Sequence, residues 1–490
     1  VAQTALTRIL AAVALWHGAV GLVQGQPPAA LRALIDAVPR EQLDPVSPLA
    51  SSFVALRLLD VLEPAGRHRF VLPLPWQEAR AGAERFEAAL KELGIHDEVL
   101  QILQQRIDSI RNEVDTASKA IGLQSLLQPT RDANFATIRA GRATAPLSLL
   151  GWNSGAYSVA KTPHFVIFSQ AGERPTAEMA QACELAFRVW SQLFASGPGS
   201  EQTDAPKSTK ESSGDGFQVV MFRTRDAYVK ALRAIEPNID VSTGYYSPRN
   251  RMSFFYWDGA KSFPTLVHEL THQFFQESNE SDPVFDPDKD PGFWAIEGVA
   301  LYVESLSVQK IGGAAVIDVG GWDAPRLQAS RYRRLHDEYW IPWEEFSQLT
   351  GSAFRKSPEI AAWYSQACGL VHRWMDGSPD DAARFVEYLK AVYAGQGETA
   401  ARQLAAGDDE MRSGYDRYLM ESWRSEQGEQ ARPYFPNRRE VVLSRCEVTS
   451  ADLLAWPARG RDLDWLDLSF TGVDDRWILE SGEPTWQIAR

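Results

Sequence analysis

The stretch Val267–Phe275, VHELTHQFF, constrains the fold more than any other part of the chain. His268 and His272 stand four positions apart. Placed on a helix, they put two imidazoles on one face, within reach of a single ion. Glu269 then lies beside the place where a metal would hold water. The ordinary alternative is a helix carrying two partly buried histidines. With 8 histidines in 490 residues, a chance match has odds on the order of one in a hundred. Two histidines do not complete a catalytic zinc site, which takes three protein ligands and leaves the fourth position open.

The segment ESNESDPVFDPDKDPGFWAIEGVALYVES follows from Glu277. Asp286, Asp288, Asp290 and Glu297 match the first, third, fifth and twelfth positions of a calcium loop. The sixth position of such a loop needs Gly, and here it is Pro291, whose φ is locked negative. The stretch therefore reads as a solvated acidic connection. Phe293 to Ser305, after a Pro-Gly break, reads as a second helix. Glu297 projecting from it onto the histidine pair would make a His-His-Glu set. One anionic and two neutral ligands leave zinc net positive, which favours ionisation of its water.

Trp294, Glu297, Gly298, Ala300, Tyr302 and Glu304 fit W-x-x-E-G-x-A-x-Y-x-E, and this resembles the aminopeptidase N-like gluzincins. In that family the same glutamate is the third zinc ligand. Twenty-four residues separate His272 from Glu297, somewhat more than in the aminopeptidases, and the acidic loop accounts for the excess. Tyr364 to Met375, YSQACGLVHRWM, is similar to the Y-x-x-G-x-x-x-L helix start that carries the family's transition-state tyrosine. The span from His164 to about Trp423 resembles bacterial peptidase-MA-like domains, which share a leading strand, a Gly-Tyr-Tyr stretch (Gly244–Tyr246) and the metal helices. One departure matters. The aminopeptidases hold the substrate's free amine on a Gly-x-Met-Glu-Asn strand, and here that region reads GYYSPRNRMSFFYW, so aminopeptidase activity is not implied.

The resemblance implies an α+β, thermolysin-like gluzincin domain, a small mixed sheet plus a helical lobe. It implies zinc on His268, His272 and Glu297, Glu269 as general base, Tyr364 as oxyanion donor, and a peptide or protein substrate. Glu304 and the acidic loop are candidates for orienting the histidines. His372 reads as a packed helix residue; Tyr302 or His372 is next in line if Tyr364 points elsewhere.

The rest of the chain divides by pattern. Residues 1–25 read as a signal peptide: Arg8 precedes an apolar run, Ile9 to Val23, with small residues before a break after Gly25. An ordinary first helix is the alternative reading. The expectation is export to the bacterial periplasm or exterior. No later segment is long and apolar enough to span a bilayer. Residues 26–155 read as mostly helical, with a stripe at Leu100, Leu103, Ile107, Ile110 and Val114; His68 and His96 there read as surface residues. In the metallopeptidase domain, 156–430, HFVIFS, FQVVMF and RMSFFYW read as strands. Helices are expected over Glu178–Phe194 and Tyr228–Ile235, and from Trp294 to about Trp423. Ser196 to Gly216 is a polar loop.

The tail, 434–490, differs. VVLSRCEVTSADLL and LDLSFTGVDDRWIL align at a period of 25 residues. The period and the LxLS core resemble leucine-rich repeats, which predicts Leu443, Val448, Leu468 and Val473 buried along parallel neighbouring strands.

The net charge of −14 argues against a nucleic-acid binder. Cys183, Cys368 and Cys446 form no CxxC pair, so a cysteine zinc site is not expected and buried thiols are. The leading reading is thus an exported zinc peptidase. The rival is a non-catalytic zinc-binding scaffold whose repeat-like tail meets a protein partner, and a zinc hydrolase acting on another bond is a third.

Overall fold

The computed structural model describes residues 67–73, 139–195, 216–237, 239–258, 262–278, 285–311, 314–322, 324–425, 440–455 and 465–474. The expected signal peptide, the Leu100–Val114 stripe, His96 and nearly all of the polar loop lie outside them. The described chain is α+β and divides into two compact units. One comprises 134–306 and 341–412; the other takes in strand β1 (Arg67–Pro73), 307–340 and the residues from 413 on.

The first unit is built on a six-stranded mixed sheet. Its strands are β2 (Arg139–Arg142), β3 (Ser158–Lys161), β4 (Phe165–Ser169), β5 (Phe217–Phe222), β6 (Gly244–Ser247) and β7 (Met252–Tyr256), in the spatial order β2-β3-β4-β5-β7-β6. β4, β5 and β7 run parallel, and β6 closes one edge antiparallel to β7. The parallel strands are covered on both faces, which is why FQVVMF reads as an almost unbroken apolar run. Helices α1 (Glu173–Trp190) and α3 (Phe263–Ser278) pack on one face. There Phe165 and Phe217 meet Phe187 of α1 and Phe274 of α3. The alternate residues Val220, Phe222 and Phe254 face the other way, onto Tyr228 and Leu232 of α2 (Arg225–Leu232). Thr224 caps α2 by accepting from the Ala227 N–H at 3.2 Å.

A helical lobe follows. It contains α4 (Phe293–Val303), α5 (Gly351–Lys356), α6 (Ile360–Met375) and α7 (Pro379–Tyr393). Every residue of α4 is buried, as its sequence, apolar on all sides, requires. Gly298 sits where α4 crosses α6. A Cβ there would fall 2.6 Å from Val371 Cγ2 and 2.7 Å from the Ala367 carbonyl, so only glycine permits this approach.

Two stretches expected to be helical contain strands. β8 (Ser307–Ile311) and β9 (Ala314–Gly320) form a hairpin within Trp294–Trp423, and β1 pairs antiparallel with β9 over seven residues. The reason is visible in SVQKIGGAAVIDV, where β-branched residues flank Gly-Gly. β1 and β2 likewise lie within the stretch read as mostly helical, each held by a partner distant in sequence or by its neighbour in the sheet.

In the second unit the tail forms a parallel pair, β10 (Glu440–Val442) with β11 (Trp465–Asp467), Glu440 opposite Trp465. That offset equals the sequence period. Arg445 and Phe470, one period apart, share a left-handed backbone (φ 57° and 59°), and the guanidinium lies 4.3 Å from the phenyl centroid. Leu443 and Val448 are buried, but Leu468 and Val473 are only half-buried. Fully buried Arg331 ties this pair down, donating to the Val442 carbonyl at 2.7 Å, to the Leu419 carbonyl and to Cys446 Sγ at 3.0 Å. All three cysteines are buried. No helix among the described residues is long and apolar enough to cross a membrane.

Candidate metal centre

α3 carries His268 and His272 on adjacent turns, and α4 presents Glu297 to them. The Nε2 atoms of the two histidines lie 3.1 Å apart. Glu297 Oε2 stands 3.5 Å from His268 Nε2 and 3.8 Å from His272 Nε2. Ligand atoms on a tetrahedral zinc with bonds of about 2.0–2.1 Å lie about 3.3 Å from one another. A circle through the three atoms here has a radius of about 2.0 Å, against about 1.9 Å for three corners of such a tetrahedron. Among the described residues, this is the one group of three such side chains placed to share an ion.

The charges agree with the distances. Three carboxylates, Glu269, Glu297 and Glu304, converge on two imidazoles. Burial alone would lower the His268 pKa, but Glu297 and Glu304 outweigh it and hold it well above the ordinary histidine range. Burial pushes His272 down to about 4, against the pull of Glu297, so its lone pair is available at neutral pH. Burial would raise Glu297, yet His272 and His268 bring it below its usual value. The group could hold a metal ion. Nitrogen and oxygen donors at these separations suit zinc, and calcium would want six to eight oxygens.

Glu304, the residue that directly follows α4, has Oε1 2.7 Å from His268 Nδ1. This fixes the tautomer that leaves Nε2 facing Glu297 and His272. The acidic loop does not join it. Asp290 Oδ2 accepts from the Asp286 N–H at 2.7 Å, Asp286 pairs with Lys289 at 2.6 Å, and Asp288 pairs with Arg355. These carboxylates meet groups of the loop itself and Arg355 of α5.

Glu269 is half-buried on the same helix. Its Oε2 accepts from the backbone N–H of Tyr246 on edge strand β6 at 2.8 Å. Burial pushes its pKa up to about 6; His268 and the Tyr246 amide oppose, Glu297 and Glu304 add. Tyr364, on the second turn of α6, lies with its hydroxyl beside Glu297, its ring against Phe354 at 5.9 Å. Burial raises its pKa, and Glu297 and Glu269 raise it further, so the phenol keeps its proton.

His372 and Tyr302 are placed differently. His372 is wholly buried; its Nδ1 is 3.0 Å from Asp376 Oδ2, and the Tyr302 hydroxyl donates to Asp376 Oδ1 at 2.7 Å. Both side chains serve the α4–α6 packing. The Gly-Tyr-Tyr stretch was legible in the sequence, but the role of Tyr246 was not, because its contribution is a backbone amide reaching across 23 positions. No known protein family matches this chain, and no curated protein is similar to it.

Proposed function

We propose that the chain is a zinc-dependent peptidase of the gluzincin type, with the metal on His268, His272 and Glu297. The observation that carries this reading is the convergence of those three donors, with Glu269 and Tyr364 beside them. Bound there, zinc supplies Lewis-acid polarisation of a carbonyl and lowers the pKa of water. Glu269 accepts the proton of the attacking water at Oε1, since Oε2 is held by the Tyr246 amide. Tyr364, kept protonated, donates to the oxyanion that develops at the scissile carbonyl. Glu304 holds His268 in place throughout. The thermolysin-like relationship rests on the mixed sheet followed by a helical lobe and on the WxxEG residues. Export rests on the apolar run Ile9–Val23 alone.

The second reading, a zinc-binding scaffold, draws on the tail. β10 and β11 pair at the sequence period, and Trp465 and Phe470 beside them are 37% and 65% exposed. Metal analysis of the purified protein and digestion of a peptide library, with and without a chelator, separate the two. Peptidase action predicts stoichiometric zinc and cleavage that the chelator abolishes. Stoichiometric zinc without cleavage of any peptide would favour the scaffold.

A further inference from the structure

The residue after the second histidine, Gln273, is not one of the three candidate donors. It is completely buried on the face of α3 that lies against the sheet. Its Oε1 accepts from the Ser253 hydroxyl of β7 at 2.8 Å. Its Nε2 donates to the Gln218 carbonyl of β5 at 3.2 Å and to Glu277 Oε1 at 2.9 Å. Both amide hydrogens and the oxygen are therefore used, at the cost of burying several polar groups where an apolar side chain would pack. Glu277 also faces Arg251 at 3.5 Å.

Glu269, Gln273 and Glu277 follow one another at four-residue spacing, so they form one stripe along α3. The first member of that stripe meets the Tyr246 amide of β6, and the other two meet β5, β7 and Arg251. β6 can come this close only because residue 244 is glycine. A Cβ there would lie 2.6 Å from Thr265 Cγ2 and 2.9 Å from the Phe255 ring.

We infer that Gln273 is a positioning residue: its three hydrogen bonds set the rotation of α3 about its own axis, and so aim the Glu269 carboxylate at the Tyr246 amide. A side-chain tip roughly 5–6 Å from a helix axis moves about 1 Å for each 10° of rotation. A displacement of about 1 Å in a reacting group can cost on the order of 10²-fold in rate. Two oriented amide groups, one a side chain and one a backbone, thus hold the carboxylate at both ends of its lever. Only the kinetic consequence rests on the peptidase reading; the hydrogen-bond geometry does not.

The test uses the full-length, zinc-loaded protein carrying ¹⁵N-tyrosine. The Tyr246 amide proton, shifted downfield by its bond to a carboxylate, is assigned by its loss in Tyr246→Phe grown with the same label. Glu269→Gln gives its position when the charge is gone. In Gln273→Met, with zinc retained, the resonance should move at least halfway toward that position. On a peptide cleaved by the wild type, kcat should fall about tenfold or more with KM within about twofold. A folded Gln273→Met protein with the Tyr246 resonance unmoved overturns the inference, whatever happens to kcat. If Gln273→Met does not fold, Ser253→Ala removes one of the three bonds and should move the resonance in the same direction by less; an unmoved resonance, or failure of this variant to fold, assigns the network to stability alone. A wild-type protein that cleaves nothing would sink the peptidase reading and leave the resonance test standing.

Discussion

Removing the Glu304 carboxylate should weaken zinc binding without touching a donor atom. Glu304 Oε1 lies 2.7 Å from His268 Nδ1, with the Glu304 side chain only 11% exposed. In its absence the imidazole loses the partner that fixes its tautomer and plane, and Nε2 loses basicity. Loss of such a supporting partner typically costs about 10–100-fold in metal affinity, or about 1.4–2.8 kcal/mol. The enclosed position of this pair puts Glu304→Ala toward the upper end. Glu304→Gln keeps an acceptor at similar reach and loses only the charge, so it should cost about tenfold or less. Competition against a chromophoric chelator, at fixed pH and ionic strength, reads both numbers. Glu297→Ala is the reference, since it deletes a donor and should cut zinc occupancy well below one per chain. If Glu304→Ala binds zinc within twofold of the wild type, the contact orients nothing that matters, and the account of His268 is wrong.

Glu269→Gln and Tyr364→Phe should each retain zinc and fold, and each should lose about 10²-fold or more in kcat, with KM little changed; steady-state kinetics beside metal analysis checks this, and loss of metal in either variant refutes the assigned roles. Gly298→Ala should lower the denaturation midpoint by the equivalent of about 1–3 kcal/mol, because the new Cβ meets the Ala367 carbonyl; an unchanged midpoint would show that α4 and α6 can separate freely. Away from the candidate metal site, burial would raise the Glu184 pKa, but hydrogen bonds and charge from His164 bring it below its usual value. The folded state therefore holds this proton less tightly than the unfolded chain. Its contribution is complete above the unfolded value, about pH 4.3, and is lost as pH falls through the folded one. The stability gap between wild type and Glu184→Gln, measured by urea unfolding, should accordingly narrow below about pH 4.3; a gap that widens in acid refutes the pairing.

What the sequence made legible was local. His268, Glu269 and His272 share one helix, and a helix has only one geometry, so their relation follows from numbering. Glu297 needed a second helix and a family resemblance, because nothing in the spacing of 24 intervening residues dictates that two helices meet. Three of the six strands of the central sheet, β4, β5 and β7, were legible from their β-branched and aromatic runs, whereas the short strands β2, β3 and β6 were not. β8 and β9 were missed because an overall helical pattern from Trp294 onward was allowed to outweigh the Gly-Gly flanked by Val and Ile. β1 was missed for a different reason. RHRFVLP takes its strand form from pairing with β9, more than 240 positions later, and pairing at that distance leaves no local trace. The tail shows the intermediate case. Its period is in the sequence and reappears as register, but the incomplete burial of Leu468 and Val473 depends on what covers the outer strand, which a period cannot say.

The same division between local and distant causes explains why the site is charged as it is. A helix can place two imidazoles together at almost no cost, and their Nε2 atoms 3.1 Å apart can share one proton or face one cation. The fold brings Glu297 and Glu304 from α4, and Glu269 from α3, into the same half-buried space. Like charges at such range repel, and burial deepens the penalty. His268 answers with a raised pKa, and so can take up the balancing proton. A divalent cation, if bound as proposed, would neutralise two charges and satisfy both nitrogens and Glu297 at one point. The carboxylates are therefore not incidental to a histidine motif. They gather negative charge around two imidazoles, beside a helix crossing that only Gly298 permits and a carboxylate held by the Tyr246 amide.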